Sequence, residues 1–374
     1  MPSKQDLIKE LEEEIRRTDY NKATQHHIGK LKAKIAKLKQ EIALAQEKKG
    51  GGGGYHIKKS GHATVALVGL PSVGKSTLLN VLTGARSEVA DYQFTTLNVV
   101  PGVLHHRHAK IQLLDLPGII KDASKGRGRG KEVLAAVRNA DLILYILEPF
   151  NPAIEVLERE LYEVGIRSDA QPPDVKITKT DRGGIVVNWT KPLTKLDEKT
   201  VVSILKEYGV VNANVVLRED VSDDQLIDVL AGNRVYIPTL PLLNKIDLAD
   251  EEVIKRAKKK IIEFYKKKGI KEKNLLLVSA KRGTGLEELK DTIYKGLNLI
   301  NIYLKPVGGK ADLKEPLVVK YGATVGTVCD LLHRDFRKRY RYGVVIGKSV
   351  KFPGQMVGLD HKLEDNDILT IVTH

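Results

Sequence analysis

The stretch Gly69-Leu-Pro-Ser-Val-Gly-Lys-Ser76 follows the apolar run ATVALV and decides the fold. Its spacing is G-x-x-x-x-G-K-[ST], and it stands between that strand pattern and the helical pattern KSTLLNVL. Glycines let the backbone approach phosphate oxygens, while exposed amides and a helix N-terminus supply positive potential. The sequence therefore predicts a phosphate-binding loop in an α/β sheet.

The residue types in this loop indicate how a nucleotide would be held. Lys75 would place a positive charge on the β and γ phosphates, and the Ser76 hydroxyl would bind the Mg²⁺ ion that bridges them. The remaining loop residues predicted to contact the nucleotide are Gly69, Pro71, Ser72, Val73, Gly74 and Thr77.

Two further segments are predicted to sense the γ-phosphate. Asp115-Leu-Pro-Gly118 follows a strand pattern, so that Asp115 would hold a magnesium-bound water and the Gly118 amide would meet the phosphate. Between the two loops lies DYQFTTL, where a threonine could reach Mg²⁺ only while GTP is bound. Phe94, Thr95 and Thr96 are predicted to contact the nucleotide, and Thr96 is the expected metal ligand and catalytic residue.

Asn244-Lys-Ile-Asp247 predicts which base is bound. The Asp247 carboxylate can accept hydrogen bonds from guanine N1–H and the exocyclic amino group, whereas adenine would leave that carboxylate unpaired. Lys245 would cover the base plane and Asn244 would tie the loops together. Ser279-Ala-Lys281 is predicted to add a contact from the Ala280 amide to guanine O6. These motifs predict a GTP site.

The bulk composition favours a polyanionic partner. The chain has 374 residues with 62 Lys and Arg against 47 Asp and Glu, a net charge of +15. That excess favours RNA or ribosomes over membranes, with a solvated lysine-rich surface as the alternative. The single cysteine, Cys329, excludes an internal disulfide framework. Since no apolar run approaches the roughly 20 residues of a membrane span, a cytoplasmic protein is expected.

Patterning along the chain predicts several segments. A seam of apolar residues three and four apart, followed by five glycines, indicates a helical hairpin and a linker. The hairpin packs on its own chain, serves as a basic arm for RNA or a protein partner, or does both. The predicted segments are a hairpin or helix-turn-helix arm at 1–49, a linker at 50–61, nucleotide-sheet parts at 62–167 and 237–300, an inserted α+β subdomain at 168–236, and a β-rich module at 310–374.

Three short segments carry side chains with chemistry of their own. A lysine-rich amphipathic helix at 255–269 and the arginine and aromatic run HRDFRKRYRYG at 333–343 are predicted RNA or ribosome surfaces. His105, His106 and His108 cluster in LHHRHA. This cluster is either a metal site or a polar hairpin turn, and the turn is the favoured interpretation.

With these motifs in place, the sequence resembles the developmentally regulated GTP-binding (DRG) family within the Obg group of GTPases. The resemblance covers essentially the whole chain and is carried by GLPSVGKST, ADYQFTTL, LLDLPGII, KGRGRG, LLNKID and SAKRGTGLEEL. It implies an α/β P-loop GTPase domain with an N-terminal helical hairpin. It also implies an insert like the second domain of ribosomal protein S5, a C-terminal β-grasp (TGS-like) domain, and in eukaryotes a stabilising partner protein.

The resemblance leaves the hydrolytic step partly open. Ile119 stands where related enzymes place a water-orienting glutamine, so slow intrinsic turnover is expected. Some relatives use potassium held by a phosphate-loop asparagine; Ser72 stands there, which leaves a potassium requirement open. The segment 126–130 is either a second switch or a solvated loop.

The expected function is a GTPase switch on ribosomes, with a nucleotide-bound scaffold of negligible turnover as the alternative. The predicted catalytic set is Lys75, Thr96, Asp115 and Gly118.

Overall fold

The computed structural model describes residues 3–19, 21, 23–49, 61–84, 100–115 and 137–374. The chain divides into two units, one formed by residues 1–55 with 165–236 and one by residues 56–164 with 237–374. Among the helices of these described residues, none combines the length and apolarity needed to cross a bilayer.

The second unit carries the nucleotide-type sheet and the C-terminal module. Its strands are β1 (Ala63–Val68), β2 (Val100–His106), β3 (Ala109–Asp115), β4 (Leu142–Leu147), β10 (Thr239–Leu243), β11 (Leu276–Leu277), β12 (Leu299–Leu304), β13 (Leu317–Lys320), β14 (Tyr340–Ile346), β15 (Gln355–Val357) and β16 (Asp367–Thr373). Its helices are α3 (Lys75–Thr83), α4 (Ile154–Glu163), α7 (Glu251–Lys267), α8 (Leu286–Gly296), α9 (Val325–Leu332) and α10 (Arg334–Lys338).

The first unit consists of the N-terminal helices and the insert. Its helices are α1 (Lys4–Arg17), α2 (Gln25–Lys49), α5 (Glu198–Glu207) and α6 (Asp223–Ala231). Its strands are β5 (Ile166–Ser168), β6 (Val175–Lys179), β7 (Ile185–Trp189), β8 (Ala213–Leu217) and β9 (Val235–Ile237).

A six-stranded sheet in the order β11-β10-β4-β1-β3-β2 forms the centre of the second unit. All its pairs are parallel except β2, which runs antiparallel to β3. Every residue of β1 and β4 is buried, as expected for central strands of a parallel sheet that is covered on both faces. The carboxyl ends of these parallel strands share one edge, and ligands of open α/β sheets bind there.

The C-terminal module is a five-stranded sheet in the order β13-β12-β16-β14-β15, with α9 on one face. Val325, Val328 and Cys329 of this helix are fully buried against the sheet, so the cysteine packs as a small apolar residue. Strand β12 begins at Leu299 and pairs with β13 and β16, so it belongs to this sheet. The strand is hard to see in the sequence because only Leu297 and Asn298 separate it from α8, with Asn298 turning the chain at a φ of 50°.

The first unit is built on a three-stranded sheet in the order β6-β8-β7. Helix α2 packs on α5 so closely that a Cβ at Gly29 would lie 2.9 Å from Thr200 Cγ2. Ala33 of α2 is fully buried in the core of the insert, and Lys32 pairs with Asp223 at 2.9 Å. Of the two interpretations of the hairpin, packing on its own chain is therefore observed for α2. The predicted fold class is confirmed, while the predicted domain limits stay predictions.

Candidate nucleotide-binding site

The phosphate-type loop joins β1 to α3 and needs glycine at two positions. Gly74 caps α3 with a φ of 93°, and a Cβ there would lie 2.6 Å from Asn244 Nδ2. A Cβ at Gly69 would lie 2.5 Å from the Ile146 carbonyl oxygen. Ser72 also has a left-handed φ of 65°. The motif glycines thus stand where neighbouring atoms leave no room for a side chain.

Lys75 is held inside this loop. Its Nζ donates to the carbonyl oxygens of Gly69 at 3.0 Å and Leu70 at 2.9 Å. Burial lowers the pKa of the Lys75 ammonium, and the nearby Asp115 charge acts in the opposite direction. An ammonium that has lost part of its hydration gains from a bound anion, so this position suits a phosphate group.

Ser76 and Asp115 form a pair of oxygen ligands beside the loop. Ser76 Oγ donates to Asp115 Oδ2 at 2.6 Å, and Asp115 itself is only 5% exposed. The second carboxylate oxygen, Oδ1, is buried without a hydrogen-bond partner in the described part of the chain. Buried polar atoms are seldom left unpaired, and hydroxyl, carboxylate and water oxygens are the ligands Mg²⁺ prefers. These residues therefore fit a magnesium ion.

Asn244 links the phosphate loop to the predicted base-binding loops. The residue is 2% exposed, its Nδ2 donates to the Val73 carbonyl oxygen at 2.9 Å, and its Oδ1 accepts from the Ala280 amide at 3.1 Å. Its own amide donates to the Leu147 carbonyl oxygen at 2.8 Å, which continues the pairing of β10 with β4. One buried side chain thus connects three loops at the carboxyl edge of the sheet.

Asp247 presents an oriented carboxylate at the same edge. Ser279 Oγ donates to its Oδ1 at 2.6 Å, and this hydrogen bond lowers the pKa of the carboxyl group. Arg282 Nε lies 3.8 Å from Oδ2, with the arginine side chain 70% exposed. An ionised carboxylate held in this way can accept two parallel hydrogen bonds from a planar donor edge.

Lys245 lies between Asn244 and Asp247 in the chain and has a left-handed backbone conformation with a φ of 61°. Its Nζ donates to Glu148 Oε2 at 3.2 Å. A non-glycine residue with positive φ costs backbone energy and is found disproportionately at functional sites. The lysine side chain is 30% exposed and reaches the carboxylate of Glu148.

The structure brings most of the predicted site residues to one edge of the sheet. Those it places there are Gly69, Pro71, Ser72, Val73, Gly74, Lys75, Ser76, Thr77, Asp115, Asn244, Lys245, Asp247, Ser279, Ala280 and Lys281. Phe94, Thr95, Thr96 and Gly118, together with Ile119 and the segment 126–130, lie outside the described residues. The sequence motifs do not single out Glu148 or Arg282 as site residues. For Glu148, the sequence signal is its position directly after the buried strand β4.

The histidine-rich segment forms the hairpin turn between β2 and β3. Arg107 and His108 occupy the turn with φ values of 46° and 67°. His106 Nε2 lies 2.6 Å from Asp291 Oδ1, and Arg107 lies 3.0 Å from the same oxygen. Within the described residues no group of three His, Cys, Asp or Glu side chains is arranged to hold a metal. Since β2 and β3 pair antiparallel on either side of this turn, the hairpin interpretation of the cluster is confirmed.

Three sequence families match consecutive parts of the chain. The family described as a 50S ribosome-binding GTPase matches residues 64–179, and its described C-terminal region matches residues 182–299. The family described as the TGS domain matches residues 300–373, which agrees with a module that begins at β12.

Full-length relatives give the same assignment. A GTP-binding protein of Methanocaldococcus jannaschii is 58% identical over 366 residues, covering 98% of this chain and 92% of the relative. A developmentally-regulated GTP-binding protein 1 homolog of Dictyostelium discoideum is 44% identical over 374 residues, covering 98% of each chain. A second homolog from that organism, named as protein 2, is 42% identical over 368 residues with the same coverage. This chain therefore belongs to the developmentally regulated GTP-binding (DRG) family of P-loop GTPases.

Proposed function

We propose that this protein binds GTP at the site described above, hydrolyses it to GDP and phosphate, and acts as a molecular switch in translation. The observation that carries the proposal is the Asn244 bridge, which places a phosphate loop and an ionised Asp247 carboxylate in one connected site. A carboxylate that accepts two hydrogen bonds selects guanine, because adenine offers no matching pair of donors.

The chain's own residues would act mainly by positioning and charge. Lys75 would leave the carbonyl oxygens of its loop for the β and γ phosphates, where its charge stabilises the transition state. Bound Mg²⁺ would neutralise developing charge, with Ser76 as a direct ligand and Asp115 acting through a water. Thr96 and Gly118 are proposed to complete the γ-phosphate contacts. Since Ile119 offers no hydrogen bond to water, the intrinsic rate is proposed to be slow until a partner supplies the missing group.

The ribosome or RNA contact is proposed to run chiefly through helix α7. Arg256, Lys260 and Lys267 are exposed on this helix and form no ion pair in the described residues. Their spacing of 4 and 7 residues puts them along one helix face, spanning roughly 16 Å at 1.5 Å per residue. Such a stripe of unpaired cations suits a phosphate backbone. The name of the family matched by residues 64–179, a 50S ribosome-binding GTPase, supports the same partner.

The other two predicted basic surfaces are weaker candidates. In α2, Lys37 Nζ donates to the Glu207 carbonyl oxygen and Lys39 pairs with Glu12, so these cations are already used within the chain. In the C-terminal module, Arg337 pairs with Asp330 and Arg339 donates to the carbonyl oxygen of His374. We therefore rank these surfaces below α7, and keep a protein partner and a cytoplasmic location as parts of the proposal.

Single-turnover GTP hydrolysis, measured with and without ribosomes, tests the switch. We expect slow turnover alone and a clear stimulation by ribosomes; a negligible rate in both conditions would instead support a nucleotide-bound scaffold. Parallel runs in KCl and NaCl at equal ionic strength test the potassium requirement.

The α7 contact is tested by replacing three basic residues of that helix with Glu. A matched replacement of three basic residues in the insert serves as the control. The two sets are Arg256, Lys260 and Lys267, and the exposed Lys176, Lys179 and Lys191.

A further inference from the structure

Among the described residues, Glu148 is the acidic side chain that pairs with the amino group of Lys245. The two side chains leave neighbouring strands, since Leu147 at the end of β4 is in register with Leu243 at the end of β10. The Oε2–Nζ distance is 3.2 Å, and the side chains of Glu148 and Lys245 are 27% and 30% exposed. This pair is therefore shielded from solvent more than an ordinary surface ion pair, and its geometry is set by the sheet.

Lys245 needs such a partner if its stem is to cover a base. A lysine stem has four rotatable methylene groups, and ordering it costs conformational entropy each time a ligand binds. An ion pair at the far end of the stem restricts those rotations before binding. The backbone at Lys245 is already restrained by its left-handed φ and by the hydrogen bond from the Asn244 backbone N–H to the Leu147 carbonyl oxygen. Both ends of the side chain are thus restrained.

We propose that Glu148 is a positioning residue for the guanine base. It holds the Lys245 ammonium so that the aliphatic stem lies over the plane in which the Asp247 carboxylate meets the base. This inference rests on the proposed function, because it requires a guanine nucleotide at this edge. Glu148 itself touches neither the phosphate loop nor Asp115 among the described contacts, so its effect falls on base binding and not on phosphoryl transfer.

Removing the Glu148 charge weakens GTP and GDP equally, since the two nucleotides share the base. It therefore raises KM for GTP and leaves kcat unchanged, the signature of an interaction made equally in the ground and transition states. For a partly shielded ion pair we expect a loss of affinity of about 3- to 10-fold. The loss shrinks as salt concentration rises.

A double-mutant cycle with fluorescent N-methylanthraniloyl-GDP tests this. The full-length wild type is compared with Glu148→Gln, Lys245→Met and the double variant, with Glu155→Gln as a control. Glu155 is exposed on the first turn of α4 and makes no contact with Lys245 in the described residues. We expect Glu148→Gln to weaken binding in the wild-type background but not in the Lys245→Met background. Melting temperature and the Glu155→Gln affinity should stay at the wild-type values.

Two results would overturn the inference. One is unchanged GDP affinity in Glu148→Gln; the other is an equal loss with and without the Lys245 amine, which would mean that Glu148 acts independently of the lysine. Both presuppose a wild type that binds GDP. A wild type that fails to bind GDP would overturn the proposed function and this inference together, so the two failures are distinguishable.

Discussion

Replacing Asn244 with alanine should loosen the phosphate loop and the base loop at once. The substitution removes two hydrogen bonds, at 2.9 Å to the Val73 carbonyl oxygen and at 3.1 Å from the Ala280 amide, from a residue that is 2% exposed. A buried backbone group left without a partner costs about 1–3 kcal/mol. With two such groups, and allowing for partial rescue by entering water, we expect local opening of this edge to become easier by about 2–4 kcal/mol.

Hydrogen exchange measures this directly, because the Ala280 amide donates to the lost side chain. An opening free energy lower by 2 kcal/mol speeds exchange about 30-fold, so the peptide around Ala280 should exchange at least that much faster. GDP affinity should fall by about tenfold or more. The exposed Asn274 serves as the matched alanine control and should stay within about 0.5 kcal/mol of the wild type. Wild-type exchange at Ala280 in the Asn244 variant would refute the reasoning.

Two further substitutions test packing and pH dependence. Gly29→Val places a branched side chain where a Cβ alone would lie 2.9 Å from Thr200 Cγ2. The free energy of unfolding, measured by urea denaturation, should therefore fall by about 1–3 kcal/mol. A variant as stable as the wild type would contradict the packing of α2 on α5. The pKa of Asp291 is lowered chiefly by its hydrogen bond with His106. The ionised Asp291 carboxylate therefore stabilises the folded state above its unfolded pKa of about 4, and this stabilisation is lost as pH falls through its lower pKa in the folded state. The stability gap between wild type and Asp291→Asn should therefore narrow below about pH 4, and a constant gap would count against this pair.

The sequence predicts the nucleotide sheet well because two strong signals coincide there. Buried parallel strands such as ATVALV read as continuous apolar runs, and motif glycines mark the turns that follow them. The C-terminal module is harder to predict. Only Leu297 and Asn298 separate Gly296, the last residue of α8, from strand β12, and β15 has only three residues. Local patterning therefore carries too little signal to mark where either strand begins.

In the site too, residues within short motifs can be predicted from the sequence, whereas contacts between distant segments cannot. The roles of Lys75, Ser76 and Asp247 follow from motifs whose chemistry is contained in a few consecutive residues. Glu148 belongs to no such motif, and its pairing with Lys245 depends on the register between β4 and β10. Likewise, the burial of α2 against the insert joins residues about 170 positions apart in the chain, such as Gly29 and Thr200. Only the folded chain shows these contacts.

The central claim is that Asp247 selects guanine, and isothermal calorimetry of wild type and Asp247→Asn with GTP, ATP and xanthosine triphosphate tests it most directly. The wild type should prefer GTP over ATP by at least about 100-fold, as expected when a mismatched base offers the carboxylate no pair of donors. Asparagine offers an amide N–H to the C2 carbonyl of xanthine, so the variant should lose GTP affinity and gain affinity for xanthosine triphosphate. Equal binding of ATP and GTP by the wild type, or an unchanged GTP preference in the variant, would contradict the account.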